Sequence, residues 1–309
     1  MRLKILGVVA AIILLLAAGP LLASGPQTAW PNPARLGAQG VAVCLVERPE
    51  GGFLIYWMAH QQGLAAASSA DGLVWNNEES FFLPELSPGE MRSNPWVFLN
   101  LAGQYRMIYE IRDQVGNRRF YSAVSDDGLN FRTEGLVMAG EPEDLSPQGT
   151  VFLSVPDGLR LDDGNLRMYF VSDGSSIRSA VSADDGLTWV RDPGVRASDR
   201  VDPAILALPN GGYRLFCVEF GFGPQQARHI YYADAADGLN FTFQEEVASS
   251  PEPDQLTLDP EIIRPAQGNC RLYFSYGPTE GPGDIYCATA PDTWSLELYP
   301  VVRPERGLK

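Results

Sequence analysis

Two acidic residues occupy the same place in a repeated pattern, where each stands directly before a proline at the start of an apolar stretch. They are Asp202 and Asp259; Glu261 follows two residues after the second, and Glu219 ends another apolar stretch. Closely spaced carboxyl groups can act as a general acid and a general base when their surroundings separate their pKa values. The sequence therefore offers these four residues as candidate catalytic carboxylates.

The segments that hold these residues repeat along the chain. A turn motif, Asp-Gly-Leu-x-(Trp/Phe), begins at Asp71, Asp127, Asp185 and Asp237, and a shortened copy begins at Asp292. The copies are 52 to 58 residues apart, with short alternating apolar runs between them. A period of this length indicates a repeated all-β unit. Five units predict an all-β fold, a five-bladed β-propeller with four antiparallel strands in each blade.

The repeated turn has a structural explanation. An Asp side chain accepts hydrogen bonds from N–H groups of its own turn, and Gly supplies a positive φ. The stretch from Ser182 to Trp189 also fits the wider Asp-box pattern, Ser-x-Asp-x-Gly-x-Thr-Trp. Five copies of one turn favour a scaffold role, with the aromatic residue packed between blades. Asp185→Ala is accordingly predicted to lower stability by about 1–2 kcal/mol and to leave ligand affinity unchanged.

Both ends of the chain bear on its organisation. Arg2 and Lys4 precede an apolar run over residues 5–18 that is followed by small residues, which predicts a signal peptide over 1–24 or a retained N-terminal anchor. Residues 25–309 form one propeller domain in this interpretation, and the folded part is expected to be secreted or extracytoplasmic. The run Ser295–Tyr299 is expected to supply the outer strand of the fifth blade, so that no strand is exchanged between the termini.

The charge and residue composition of the chain limit the kinds of ligand and partner that it is expected to bind. The formal net charge is -15, with 38 acidic and 23 basic residues, which argues against nucleic acid and against a membrane contact beyond the N-terminal segment. The two histidines lie in different repeats, and no phosphate loop or Cys-x-x-Cys pair is present. No metal site and no cofactor are predicted, although a structural ion or a water molecule in the channel is left open. A monomer is expected.

The four cysteines admit two interpretations. Two disulfides are consistent with an exported chain. However, Cys217 and Cys270 occupy strand positions that hold aromatic residues in sister repeats, where Cys behaves as a small apolar residue. Free core thiols are therefore the favoured prediction for Cys44, Cys217, Cys270 and Cys287.

Ligands of propellers usually sit over the central channel, on the face where the innermost strands begin. An alignment of the strand starts, in which Gln39-Gly40 is matched with Gln148-Gly149, predicts a polar ring there. The members of this ring are Gln39, Asn94, Gln148, Asp202 and Asp259. Loops of the same face add further polar groups. An alternative is that the ring only caps strands and holds channel water. Trp96 or Trp30 is expected to stack on a sugar ring. The predicted substrate-binding residues are Gln39, Asn94, Gln148, Trp96, Glu110 and Arg200.

The turn motifs, the Tyr-Arg-Met strand and the Asp-Pro strand starts resemble those of the five-bladed glycoside hydrolase superfamily, over about residues 36–300. That superfamily holds the family-43 arabinanases and xylosidases and the relatives of invertase and levansucrase. The resemblance implies an Asp base on the first blade, a modulating Asp on the second and a Glu acid on the third. The matching positions here are Gln39, Asn94 and Gln148, which are amides and cannot transfer a proton as a carboxyl does.

Two functions follow from these observations. The first is an exported glycoside hydrolase that uses Asp202 with Asp259 or Glu261 as its acid and base. The second is a non-catalytic propeller that binds glycan or protein through the same face. The resemblance and the acidic channel favour the first, and the amides favour the second.

Overall fold

The computed structural model describes residues 34–59, 63–75, 77–79, 81–219, 229–249, 255–266, 270–278 and 283–290. The predicted signal peptide, Trp30, the fifth turn motif and the run Ser295–Tyr299 lie outside the described residues, as does the side chain of Gln39. The described helix is a single 3-10 turn, Pro142–Asp144. Within the same part of the chain, no helix is long and apolar enough to cross a membrane.

The strands form five antiparallel sheets around an axis, so the predicted five-bladed propeller is confirmed. Three blades are continuous in sequence. Blade 2 contains β5 (Met91–Leu99), β6 (Tyr105–Arg112), β7 (Arg118–Ser125) and β8 (Arg132–Met138). Blade 3 contains β9 (Leu153–Arg160), β10 (Leu166–Ser172), β11 (Ser176–Ser182), β12 (Val190–Arg191) and β13 (Ala197–Ser198), the last two both paired with β11. Blade 4 contains β14 (Arg200–Ala207), β15 (Tyr213–Glu219), β16 (His229–Ala235) and β17 (Thr242–Ser249).

The other two blades share one strand, β1 (Ala34–Glu47). Its second half joins β2 (Phe53–Ala59), β3 (Gly63–Ser69) and β4 (Asn77–Glu79) to form blade 1. Its first half pairs with β20 (Asp284–Ala290), beside β18 (Gln255–Ile263) and β19 (Cys270–Pro278), to form blade 5. The N-terminal segment therefore supplies the outer strand of the last blade.

This closure corrects the expectation that no strand is exchanged. Ala34 lies opposite Cys287 and Gln39 opposite Asp284, and the chain then turns at Gly40 into the innermost strand of blade 1. An isolated β20 would expose an unpaired edge. The exchanged strand covers that edge and links the first blade to the last.

Each innermost strand has a bulge near its start. At the bulge, one residue adopts a positive φ between 47° and 55°, and the register of pairing with the second strand shifts. These bulge residues are Ala42, Asn94, Val155, Asp202 and Asp259. Four of the five are followed by proline, which has no N–H to lose from the ladder. The bulges place one side chain per blade at the same height on the channel.

The core lies between adjacent blades and is built mainly from the second strands. Tyr56, for example, is fully buried and meets Phe131 of the next blade edge-on at 6.2 Å between ring centroids. Tyr169 meets Phe241 in the same way at 5.9 Å. Phe131 and Phe241 end their turn motifs, so the predicted packing of this aromatic residue between blades is confirmed.

The Asp-Gly turns connect the third and fourth strands, at the end of the blades opposite the bulges. Asp127 Oδ1 accepts the N–H groups of Leu129 and Asn130, both at 2.8 Å. The Tyr56 hydroxyl of the preceding blade donates to the Gly128 carbonyl at 2.8 Å. The same link joins Tyr169 to Gly238 and Tyr273 to Gly72. The turns thus stabilise their own loop and fasten neighbouring blades together.

The third copy contains one extra residue, which corrects the role expected for Asp185. Asp184 holds the turn there, because its carboxylate accepts the N–H of Thr188 at 2.8 Å and the hydroxyl at 2.6 Å. Asp185 has φ +64°, and its carboxylate points away from its own turn. It accepts hydrogen bonds from Arg160, at 2.5 Å, and from the N–H of Leu101, at 2.7 Å. Asp185 therefore links two blades, and Asp184 is the residue equivalent to Asp71 and Asp127.

The four cysteines are all free and buried, as the strand positions predicted. Cys44 lines the channel, Cys217 is in β15, Cys270 begins β19 and Cys287 is in β20. No disulfide contributes to the described fold.

Candidate functional site

The five bulge residues form a ring around the channel, here called the upper ring. It consists of Ala42, Asn94, Val155, Asp202 and Asp259. Four of these residues line the channel cavity, and the carboxyl group of Asp202 contacts the fifth blade at Asp259. The sequence alignment placed Asn94, Asp202 and Asp259 in this ring, and the structure agrees. It differs in blades 1 and 3, where Ala42 and Val155 hold the positions assigned to Gln39 and Gln148. The ring therefore has one amide, two carboxyl groups and two apolar side chains.

The alignment failed in those blades because it followed a shared Gln-Gly pair. Gln148 is exposed, in a turn where the N–H of Gly149 donates to the Ser146 carbonyl at 2.9 Å. Gln39 lies in the part of β1 that pairs with β20. The proline after the bulge was the better signal, because Val155-Pro156 repeats the pattern of Asn94, Asp202 and Asp259.

Asp202 and Asp259 are neighbours in the upper ring and interact electrostatically. Both are buried, with 9% of each residue exposed. Burial, and then the charge of Asp259, raise the pKa of Asp202 well above its usual range. Burial raises the pKa of Asp259 to about 6, although the facing N–H of Ala42 opposes the shift. Both carboxyl groups therefore hold a proton more strongly than an exposed aspartate does.

A second ring lies two residues further along each innermost strand, and we call it the lower ring. It consists of Cys44, Trp96, Asp157, Ala204 and Glu261. Three of these side chains accept a main-chain N–H from the next blade. Glu261 accepts Leu45 N at 2.9 Å, Asp157 accepts Ile205 N at 2.7 Å, and Cys44 Sγ accepts Val97 N at 3.1 Å. The lower ring fastens blades together, and the Glu261 bond closes blade 5 onto blade 1.

Glu261 therefore has a structural position different from the one predicted for a catalytic carboxylate. Burial, and then the charge of Asp157, raise its pKa well above the usual range. Burial likewise raises the pKa of Asp157 to about 7, and it raises the pKa of the Cys44 thiol, beside which Glu261 lies. Sequence reasoning missed Asp157, although it follows Pro156 as Glu261 follows Pro260.

The cavity between the two rings is small. Its volume is about 20 Å³, and its lining includes Asn94, Asp157, Asp259 and Glu261. A site of this size with polar walls has room for about one water molecule. A sugar ring is too large for a cavity of this size.

Trp96 does not reach that position, which corrects its expected role in sugar stacking. Only 4% of the residue is exposed, and its ring packs against Phe98 at 4.5 Å and Trp189 at 6.2 Å. The side chain fills the core between blades 2 and 3.

Glu110 belongs to a buried polar cluster beside the upper ring. Its carboxylate accepts Asn94 Nδ2 at 2.8 Å and the Ser154 hydroxyl at 2.5 Å, and Arg118 lies 3.4 Å away. Glu110 is only 1% exposed. Direct contact with a ligand is therefore blocked, and Glu110 can act only through Asn94.

Glu219 and Arg200 lie together at the rim, at the start of blade 4. The Glu219 carboxylate accepts the Tyr231 hydroxyl at 3.2 Å and lies 3.9 Å from Arg200. The guanidinium of Arg200 stacks over Tyr231 and Phe243, at 5.0 and 5.1 Å from the ring centroids. Glu219 is about half exposed, in contrast to the buried aspartates of the upper ring.

A wider cleft opens where blades 1 and 2 meet, at the end of the strands that carries the upper ring. It has a volume of about 550 Å³ and lies between the start of β3 and the segment leading into β5. Its walls combine apolar and charged side chains. The lining residues include Leu64, Phe81, Leu86, Met91, Glu85, Glu90 and Arg92. Among the described residues, no group of three or more His, Cys, Asp or Glu side chains could hold a metal ion.

Comparison with known proteins identifies the fold. No protein-family model and no curated protein matches the sequence. Solved structures do match. The endo-arabinase from Bacteroides thetaiotaomicron VPI-5482 gives a TM-score of 0.66 at 14% identity, over 86% of this chain and 98% of that chain. The β-xylosidase RS223 gives 0.66 at 14% identity, over 88% and 98%.

A third match, at a TM-score of 0.58 and 13% identity, is an N-acetylgalactosamine deacetylase from F. plautii, over 86% of this chain and 93% of that chain. Identities of this size establish a shared fold, namely the five-bladed propeller of the family-43 glycoside hydrolases. The resemblance predicted from the sequence is confirmed at that level. Because the same fold carries a deacetylase, activity has to be argued from the site.

Proposed function

We propose that this protein is an exported carbohydrate-active propeller that binds its ligand above the upper ring and hydrolyses a glycosidic bond. The observation that carries this proposal is the Asp202–Asp259 pair. These two buried carboxyl groups interact with each other from adjacent blades at the upper ring, on a fold shared with several glycosidases. No other residue of the upper ring has a carboxyl group.

The raised pKa values suggest a role for each aspartate. Asp202, whose pKa is raised well above its usual range by burial and by the charge of Asp259, would donate its proton to the glycosidic oxygen as that bond breaks. Asp259, with a pKa of about 6, is largely ionised above that pH and would remove a proton from the attacking water. Glu219 and Arg200 at the rim, and the cleft between blades 1 and 2, would contact more distant parts of the ligand.

The experiment is turnover on 4-nitrophenyl arabinofuranoside, xylopyranoside and galactopyranoside, sugars chosen from the structural neighbours. Asp202→Asn and Asp259→Asn should each lower kcat by at least about a hundredfold, the lower range for loss of an acid or base. Asp157→Asn is the matched control, because Asp157 is also a channel carboxyl with a raised pKa but lies in the lower ring. Its turnover should stay within about threefold of the wild type.

Two outcomes would count against the assignment. If turnover is unchanged by both substitutions, the two aspartates have no catalytic role. Equal losses in all three variants, with lowered unfolding temperatures, mean that the channel carboxyls serve stability alone. Export has its own test, which is cell fractionation of the full chain compared with a chain that lacks residues 1–24.

A second candidate function is non-catalytic binding of a glycan or a protein through the same face. The observation that favours it is the composition of the upper ring, where Ala42 and Val155 cannot transfer protons. This function predicts measurable sugar binding with no turnover on any glycoside. In that case Asp202→Asn and Asp259→Asn would weaken binding only.

A further inference from the structure

Asn94 differs from the two aspartates of the upper ring in what holds its side chain. The carboxyl groups of Asp202 and Asp259 face the main-chain N–H groups of Asp259 and Ala42 in the next blade. Asn94 Nδ2 instead donates to two side chains, Glu110 Oε2 at 2.8 Å and Ser154 Oγ at 3.0 Å. Asn94 therefore reaches the next blade through the side chain of Ser154 and does not bind a main-chain N–H group there.

The chemistry of its partners fixes the orientation of the amide. Glu110 can only accept hydrogen bonds when ionised, so the atom of Asn94 that faces it is the nitrogen. Ser154 uses its one proton toward Glu110, at 2.5 Å, and accepts from both Asn94 and Arg118. Arg118, 3.4 Å from Glu110, balances the buried negative charge. Every polar group in this cluster has a defined direction.

Both hydrogens of the Asn94 amide are therefore donated to protein side chains, and only its carbonyl oxygen is left to bind a ligand. Asn94 lines the channel cavity and is half-buried. The structure records a partner for Nδ2 only, so Oδ1 is the atom that this position offers to a ligand. A carbonyl oxygen accepts hydrogen bonds, and a hydroxyl group of a sugar can donate one.

We propose that Asn94 Oδ1 accepts a hydrogen bond from one hydroxyl group of the bound carbohydrate, and that Glu110 is the positioning residue that sets this orientation. The inference rests on the proposed function, since it requires a carbohydrate above the upper ring. It adds that the site selects ligands by the presence of one hydroxyl group. A ligand with a hydroxyl at the right place is bound, and an analogue without that hydroxyl is bound more weakly because Oδ1 is left unpaired.

The test uses binding, measured by titration calorimetry, with L-arabinose, D-xylose and D-galactose as probes. For the probe that binds best, the monodeoxy analogues are compared on the wild type and on Asn94→Gly. Glycine removes the side chain and tolerates the φ of +49° at this position. One analogue should bind the wild type about tenfold more weakly than its parent, and this difference should fall within about twofold in Asn94→Gly.

Glu110→Gln should give an intermediate difference, because a neutral amide no longer dictates which atom of Asn94 faces it. Glu134→Gln is the matched control. Glu134 accepts hydrogen bonds from Arg106 and Ser122 in the same blade, away from the channel. Glu110 similarly accepts a hydrogen bond from a serine and forms an ion pair with an arginine. The control should keep the full tenfold difference, and its unfolding temperature should show whether loss of such a cluster is merely destabilising.

The possible results separate the hydroxyl contact, the positioning role of Glu110 and the proposed function. A tenfold difference that persists in Asn94→Gly overturns the hydroxyl contact. A difference that is lost in Asn94→Gly but unchanged in Glu110→Gln overturns the positioning role of Glu110. If none of the three sugars binds the wild type, the proposed function fails and this inference fails with it. If a sugar binds with the same affinity and the same selectivity after Asn94→Gly, only the inference is overturned.

Discussion

Asp157→Asn is expected to stabilise the protein at alkaline pH and to have little effect at acid pH. Burial raises the pKa of Asp157 from the ordinary 3.8 to about 7 in the folded protein. A group whose pKa is raised by folding contributes stability that is fully present below about pH 4 and is lost as the pH rises through about 7. At pH 8 the wild type therefore holds an ionised carboxylate in a site that favours the neutral form.

The size of the effect follows from the two pKa values. Their difference corresponds to about 4 kcal/mol at 1.36 kcal/mol per pKa unit. This figure is an upper limit, because Asp157 is half-buried and a channel water can reach it. Asparagine resembles the neutral carboxyl in shape, and its oxygen can still accept the N–H of Ile205. The variant should be more stable than the wild type by about 2–4 kcal/mol at pH 8.

The measurement is urea unfolding followed by tryptophan fluorescence, at about pH 4.5 and about pH 8. Asp237→Asn is the control with the opposite sign. The N–H groups of Asn240 and Leu239 lower the pKa of Asp237 to about 2. That residue contributes stability above about pH 4, which is lost as the pH falls through about 2, so its variant should be destabilised at pH 8.

The reasoning about the channel is refuted if Asp157→Asn lowers stability by the same amount at both pH values. Such a result would mean that the Asp157 carboxylate is stabilised as an anion by the Ile205 N–H, and that the bond outweighs burial. The lower ring would then contain a charged link between blades.

Two further predictions concern stability. Val155→Asn should raise the free energy of unfolding by about 1 kcal/mol in urea titrations, because a β-branched residue at φ +47° is strained and asparagine already holds that place at Asn94; an unchanged or lower value would show that Val155 packing outweighs the strain. Tyr56→Phe should lower the free energy of unfolding by about 1 kcal/mol, because the Gly128 carbonyl loses its hydrogen-bond donor. The control is Tyr213→Phe, at a partly exposed ring, which should change the free energy of unfolding by less than about 0.5 kcal/mol.

Much of the fold could be predicted from the sequence because it depends on local patterns. The Asp-Gly turns recur at a nearly constant period, and each turn satisfies its own N–H groups through one Asp side chain. Alternating apolar strands between the turns then specify the blades. Asp202 and Asp259 could also be found locally, since a proline follows each one, as it follows Asn94.

Local similarity misled the alignment where the repeats differ in length. A shared Gln-Gly pair suggested Gln148 as a ring member, whereas Val155, seven residues later, occupies the bulge. The extra residue in the third turn similarly gave the role of Asp184 to Asp185. A bulge and a one-residue insertion change which side chain faces the channel or the turn, and neither changes residue types in a way that a periodic pattern records.

Only the tertiary structure decided which polar groups are available for chemistry. Glu261 and Asp157 resemble Asp259 in type and, like it, face main-chain N–H groups of the next blade, but they lie below the upper ring. Trp96 is an aromatic residue near the channel, but the neighbouring blade covers it. The sequence by itself determined the repeated units and the residues at their starts. The packing of one blade on the next determined which carboxyl groups lie in the upper ring and which lie below it, because that contact joins residues far apart in the chain.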